Sequence, residues 1–324
     1  MRPGGRVAGG TFGHWCRGAR GGTVRSMRLP FRRPLSAALL CALLATPALA
    51  SRHVVVVSLD GLRPDVGLRA NMPALRALMN RGSFTMYATT TDVAITLPSH
   101  TSMLTGVPPE QHGITYNADP RPADKPVPDW PTLFDVAHRA GLTTAMVAGK
   151  SKFSVLCAPG SLDTSLVPPR GGVFPDSLVA ETADRWIRTR RPQVLFVHLP
   201  GLDAIGHSRG WGSHEQVAGA EAVDRAFARV LRALAQSGLN DSTLIIVSAD
   251  HGGAGKSHGG LDPRSRLIPW IAAGPGVKHD FDLALLPATQ VRTEDTFATA
   301  AAWMGIALEK PVVGRSVDEI FEGR

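Results

Sequence analysis

Six side chains in this 324-residue sequence combine a metal-ligand type with a telling position: Asp60, Asp203 with His207, Asp250 with His251, and His258. Carboxylates and imidazoles without a thiolate suit Zn²⁺, and Mn²⁺ or another divalent ion is compatible with them. Asp203 and His207 are four residues apart, so one helical turn puts both on one face. Asp250 and His251 are adjacent and would point to opposite faces of a strand, so they must lie past a strand end. His258 follows in the glycine-rich stretch from Gly252 to Gly260, which can fold back over an ion. Thr96-Leu97-Pro98-Ser99-His100 adds a hydroxyl at a helix start, where backbone N–H groups attract a phosphoryl oxygen. A threonine hydroxyl is barely ionised at neutral pH and needs a base or a metal to become a nucleophile.

The elements that would position these residues are legible from hydrophobic runs. Val54–Val57, Val194–Val197 and Leu244–Val247 read as buried strands, with Thr143–Val147 a weaker fourth. Helical periods run through Met72–Met79, Ser177–Ile187 and Val217–Leu234. Continuous apolar strands alternating with helices predict an α/β fold: a central, mostly parallel sheet covered by helices on both faces. Asp60, Asp203 and Asp250 each follow a strand, at the carboxyl ends where such sheets collect ligands. Pro98 suits the first turn of a helix that ends near Gly106.

Taken together, four segments resemble a known family. They are Val57-Ser58-Leu59-Asp60-Gly61-Leu62-Arg63-Pro64-Asp65; Thr96 to His100 with Leu104-Thr105-Gly106 and His112-Gly113-Ile114; Asp203-Ala204-Ile205-Gly206-His207; and Ala249-Asp250-His251-Gly252. In this order they resemble the motifs of the type I phosphodiesterase/nucleotide pyrophosphatase family of the alkaline phosphatase superfamily. Ile268-Pro269-Trp270 with Gly274-Pro275-Gly276 resembles its C-terminal strand and loop. The resemblance implies an alkaline phosphatase-like fold, and the 274 residues left of 324 after a 50-residue leader are too few to accommodate a large cap domain as well. It implies two Zn²⁺, one held by Asp60, Asp250, His251 and the Thr96 oxygen and the other by Asp203, His207 and His258. It also implies that Asn117 donates to a phosphoryl oxygen and that Thr96 attacks phosphorus, so that a phosphothreonine forms and is then hydrolysed. The implied activity is metal-dependent hydrolysis of a small phosphate ester of the phosphodiester or nucleotide pyrophosphate type. Lys150 and Lys152 stand where some superfamily members that cleave monoesters carry a basic pair, which makes a phosphomonoesterase the alternative.

Residues 1–50 are set aside as a leader. From Met27, Arg28, Arg32 and Arg33 precede the apolar stretch Leu35–Ala45, and Ala48-Leu49-Ala50 offers small residues for cleavage before Ser51. Translation from Met27 and from Met1 are both compatible with this reading. The apolar stretch is shorter than the roughly 20 residues of a spanning helix, so a signal peptide and a periplasmic or secreted product are expected, with no membrane span after cleavage. The leader contains eight of the 35 basic residues and no acidic one, which leaves 27 basic against 27 acidic residues. No basic patch remains to suggest nucleic-acid binding. Cys157 is the one cysteine after residue 50, so a single domain over 51–324 must rely on its core.

Other readings are separated by residues. A sulfatase needs Cys or Ser in place of Thr96 and typically Arg in place of His100, and a mutase of the superfamily needs a serine and a large inserted domain. A non-catalytic module of the same fold is the remaining alternative. Structural hydrogen bonding is expected for His100 and His112, packing or support of the second ion for His198 and His214, and surface or strand-edge positions for His53, His138 and His279. Phe84, Tyr87, Tyr116, Trp130 and Phe153 are the aromatic residues nearest the motifs.

Overall fold

Three parallel strands built from unbroken apolar runs form the middle of the sheet: β1 (His53–Leu59), β5 (Val194–Leu199) and β6 (Thr243–Ser248), all buried along their length. The computed structural model describes residues 52–119, 127–260 and 262–323. The leader, its cleavage site before Ser51 and most of the proline-rich stretch after Ala118 lie outside the described residues. The other strands are β2 (Ser83–Thr89), β3 (Thr144–Ala148), β4 (Thr164–Leu166), β7 (Leu267–Ala273) and β8 (Phe281–Asp282). The eight strands run in the order β4-β3-β5-β1-β6-β7-β2-β8.

β1 pairs parallel with β5 on one side and β6 on the other, with Leu59 opposite Leu199 and Ser58 opposite Ser248. The sheet is mixed at one end, where β7 is antiparallel to both β6 and β2. Pro269 would leave a gap in an internal strand, because it has no N–H to donate. The structure absorbs it with a bulge: Thr85 faces Trp270 and Ala88 faces Ile268, so Met86 and Tyr87 together oppose Pro269.

The helices are α1 (Pro64–Arg69), α2 (Pro73–Asn80), α3 (Thr96–Thr105), α4 (Pro109–His112), α5 (Leu133–Arg139), α6 (Asp176–Thr189), α7 (Gly201–Arg209), α8 (His214–Gln236), α9 (Pro263–Arg266) and α10 (Asp295–Met304). α6 packs on β3, β5 and α8, while α2 packs on α8 and β7. On the opposite face α10 packs on β1, β6, α3 and α5. Both faces are therefore covered, which explains why the central strands are apolar on every residue rather than on alternate ones. Sequence periodicity places the long α8 within a few residues of its observed ends, and of its stripe, Val223, Phe227, Val230 and Leu234 are buried and Leu231 is half-buried. β2 escapes that reading because its short run mixes Ser, Thr and aromatic residues and one face stays exposed at Tyr87.

Candidate metal centre

Because β5, β1 and β6 are adjacent and parallel, the residues that follow them converge at one end of the sheet. Asp60 leaves β1 with its N–H bonded to Leu199 O at 3.0 Å. Asp203 and His207 sit on α7, which starts directly after β5. Asp250 and His251 lie two and three residues beyond β6, where the chain is no longer extended.

Each of the three carboxylates has one satisfied and one unpaired oxygen. Asp60 Oδ2 receives Lys150 Nζ at 2.6 Å and His198 Nε2 at 2.7 Å. Asp203 Oδ2 also receives Lys150 Nζ at 2.6 Å. Asp250 Oδ1 accepts from the Gly61 N–H at 3.0 Å. Asp60 Oδ1, Asp203 Oδ1 and Asp250 Oδ2 are buried without a hydrogen-bond partner among the described residues. Three unpaired carboxylate oxygens buried together would be costly unless something offsets them.

The histidines complement those oxygens. His207 Nδ1 donates to Lys256 O, His251 Nδ1 to Gly252 O and His258 Nδ1 to Ala94 O, at 3.1, 2.9 and 3.1 Å. In the neutral rings, spending the Nδ1 proton on a carbonyl leaves each Nε2 with a free lone pair, the tautomer a metal ligand needs. Those nitrogens reach the unpaired oxygens: His207, His258 and His251 Nε2 lie 3.3, 3.6 and 3.9 Å from Asp203 Oδ1. His251 Nε2 is also 3.1 Å from Asp250 Oδ2 and 3.5 Å from Asp60 Oδ1. Ligand atoms of Asp203, His207 and His258 fall within 4.8 Å of one another, as do those of Asp60, Asp203 and His251. Asp203 thus belongs to both groups and Asp250 to neither, although Asp250 Oδ2 lies within reach of His251 Nε2. The donor set, carboxylate and imidazole without thiolate, fits a divalent cation.

The charges lead to the same requirement. Burial would raise Asp60, but the Lys150 ammonium and the His198 hydrogen bond outweigh it and hold that carboxyl well below the usual range. On Asp203 burial and the Asp60 charge push upward, and His207 and Lys150 prevail and bring it down to about 2. Asp250 is pushed well up, first by burial and then by Asp60. Lys150 loses to burial and gains more from Asp60 and Asp203, so its ammonium is strongly held. Burial, then His258, lowers His251 to about 3, which keeps it neutral. Lys150 bonds two of the three carboxyl groups and leaves Asp250 without a cation in contact, and a divalent ion would offset the charge Asp250 carries on ionising.

Thr96 is the first residue of α3, after Ile95 at the N-cap, and among the described residues its hydroxyl bonds no helix N–H. Its Oγ1 lies 3.4 Å from His251 Nε2 and 3.5 Å from Lys150 Nζ. The turn before it is strained, with Ala94 at φ 46°, and the Ala94 carbonyl is the one that His258 holds. Asn117 Oδ1 accepts from the Leu97 N–H at 3.0 Å and from Lys152 Nζ at 3.1 Å. Both partners are donors, so the Asn117 amide group is left to donate elsewhere. Lys150 and Lys152, two apart in sequence, therefore reach the same site by different routes.

His100, His112, His138 and His279 stand as the sequence reading expects, whereas His198, His53 and the exposed His214 differ from it. His198 does more than pack: Gly149 N–H donates to its Nδ1 at 3.1 Å, which forces the Nε2 proton onto Asp60. Only the β1–β5 pairing, invisible in a linear spacing, brings it there. His100 is buried, with Nδ1 donating to Thr96 O and Nε2 accepting from Ser58 Oγ, both at 2.7 Å. His112 bonds Ser102 Oγ at 3.0 Å. His53, read as a surface or edge residue, is buried at the start of β1 and bonds Pro192 O; His138, His214 and His279 are exposed. Phe153 is fully buried against His100 and His198, Tyr87 is exposed on β2, and Trp130 lies under Lys310.

Comparison with known proteins agrees with this geometry. Residues 54–259 match the family described as type I phosphodiesterase/nucleotide pyrophosphatase. An uncharacterised pyrophosphatase/phosphodiesterase of Schizosaccharomyces pombe is 28% identical over 61% of this chain and 44% of its own length. A bis(5′-adenosyl)-triphosphatase of Xenopus laevis is 25% identical over 61% of this chain and 46% of its own. The chain thus spans under half the length of these relatives. Murine ectonucleotide pyrophosphatase/phosphodiesterase 5, solved as an inactive variant with AMP, superposes with a TM-score of 0.69 at 15% identity, covering 84% of this chain and 100% of that one. A 2-O glycosaminoglycan sulfatase gives 0.65 at 17% identity, over 84% of this chain and 74% of its own. The last two likenesses concern the fold.

Proposed function

This chain belongs to the type I phosphodiesterase/nucleotide pyrophosphatase family, and from that premise we propose that it is an exported, metal-dependent hydrolase of phosphoric esters, with one catalytic domain and Thr96 as nucleophile. The observation that carries the reading is the Thr96 hydroxyl, which caps no helix N–H and faces His251 Nε2 and Lys150 Nζ.

We assign one Zn²⁺ to Asp60, Asp250, His251 and the Thr96 oxygen, and a second to Asp203, His207 and His258. Bound there, divalent ions lower the pKa of the hydroxyl and offset the charge that develops on the entering and leaving oxygens. Thr96 Oγ gives up its proton to solvent and bonds to phosphorus, while the ester P–O bond breaks and its oxygen departs with the bonding electrons and takes up a proton from water. Water then attacks the phosphothreonine, and the threonine hydroxyl is restored. Asn117 donates from its amide nitrogen to a non-bridging oxygen, because its own oxygen is held by Leu97 and Lys152. Little covalent work is left to other side chains, so no general-base triad is needed.

A second reading, preference for monoesters, is favoured by the two ammonium groups beside Thr96 and Asn117. A monoester dianion carries an extra charged oxygen that a cation compensates, whereas a diester presents a second alkyl group. The test is hydrolysis of matched chromogenic mono- and diesters by zinc-loaded and chelator-stripped protein. Zinc-dependent turnover supports the proposal, and a zinc-loaded protein inert on both substrates contradicts it. Export rests on the leader reading; an exported product starting at Ser51 supports it, and one retaining residues 35–50 overturns it.

Among the described residues no helix is long and apolar enough to cross a membrane.

A further inference from the structure

Trp211 is buried in the gap between the three segments that carry the metal-ligand residues. Its indole N–H donates to Gly61 O at 3.0 Å, next to Asp60 at the end of β1. The ring stands edge-on to His207, with centroids 5.0 Å apart, and to His258 at 5.6 Å. Its backbone N–H donates to Gly255 O at 2.7 Å, inside the loop between His251 and His258. The chain makes room for it at two glycines. A Cβ on Gly206 would come 2.6 Å from the indole, and one on Gly253 2.3 Å from it. Gly206 lies inside α7, where alanine would favour the helix more, so the glycine is explained by the ring it admits.

Building on the assignment of a second ion to Asp203, His207 and His258, we propose that Trp211 is the positioning residue of that group. The indole fixes the distance between α7 and the His258 loop and ties both to the end of β1, so that two imidazoles 51 residues apart present Nε2 to one ion. The ring meets His207 and His258, and His251 at a longer 6.4 Å between centroids, and no hydrogen bond joins it to Thr96 among the described residues. It acts through His207 and His258, whose orientation it limits from one side while Lys256 O and Ala94 O limit it from the other.

The test is zinc titration of the full mature chain, followed by competition with a chelator and by tryptophan emission. Wild type should bind two ions, and loading of the second should shift an emission component that Trp211→Phe lacks. Trp211→Ala should weaken the second ion by about 10–100-fold, the usual effect of losing a residue that orients a ligand, and the first ion much less. Trp211→Phe keeps the wall but loses the bond to Gly61, so its loss should be smaller. Gly206→Ala, which keeps the tryptophan and displaces it, should reproduce the weakening even if Trp211→Ala fails to fold. Two tight ions in wild type with unchanged affinities in Trp211→Phe and Gly206→Ala overturn this inference alone. Equal weakening of both ions also overturns it, since that marks a general loss of structure. A wild type that takes up no zinc overturns the metal assignment and this inference with it.

Discussion

His207 Nε2 and His258 Nε2 face each other at 3.1 Å, and each ring has already committed its Nδ1–H to a backbone carbonyl. Two nitrogen lone pairs so opposed repel unless a proton or a metal ion lies between them, and the hydrogen bond to Asp203 raises the pKa of His207. His207 is about half exposed and His258 is buried, so the pair forms the solvent-side wall of the centre. His258→Ala should therefore reduce bound zinc from about two ions to about one per chain, because Asp203 and His207 alone are too few ligands. Elemental analysis after dialysis checks it; two ions retained would remove His258 from the site.

His198→Ala should weaken the ion at Asp60 by about 10–100-fold without touching a ligand, since the bond from Nε2 is what orients that carboxylate. The buried Gly149 N–H loses its acceptor at the same time, so thermal stability should also fall. Unchanged affinity by chelator competition would reduce His198 to packing.

Lys152 separates the two substrate readings better than Lys150. Lys150 also neutralises Asp60 and Asp203, so its loss disturbs the centre on any substrate. Lys152 touches Asn117 and no proposed ligand. If monoesters are preferred, Lys152→Ala should lower monoester kcat/KM by about 10–100-fold, the scale of one charge-assisted contact, and diester kcat/KM much less. Equal losses on both favour the diester reading.

Asp176, at the start of α6, provides a pH test away from the ligands. Burial raises it from 3.8 to about 6, against a hydrogen bond from Gly201 N–H and with a further push from Asp60. The folded state thus holds a proton between pH 4 and 6 that the unfolded chain has lost. Stability should fall as pH rises through that window and then level off. Asp176→Asn keeps an acceptor for Gly201 and removes the titration. It should match wild type near pH 4 and exceed it by about 1–3 kcal/mol at pH 7. A difference that does not change with pH would contradict this.

The central strands and the long helices were legible because burial on both faces leaves an unbroken apolar signature, as in Val54–Val57 and Leu244–Val247. Asp60, Asp203 and Asp250 could be located because each follows such a run. What linear spacing hid was lateral: His198 is inside β5 and meets Asp60 only across the β1 pairing. Trp211 was hidden for the same reason, since its value depends on glycines at 206 and 253 that come together in space. Lys150 was visible as half of a basic pair, but its bond to both carboxylates required the β3 and β5 ends to meet.

The central claim, that Thr96 is the nucleophile of a metal-dependent hydrolase, is tested most directly by the turnover of zinc-loaded Thr96→Ala on a chromogenic phosphate ester, with bound zinc measured on the same sample. Asp60, Asp250 and His251 remain in this variant, so most of the zinc should stay while kcat/KM falls by at least about 1,000-fold, as expected for loss of a covalent nucleophile. Near-native turnover with both ions bound would contradict the account.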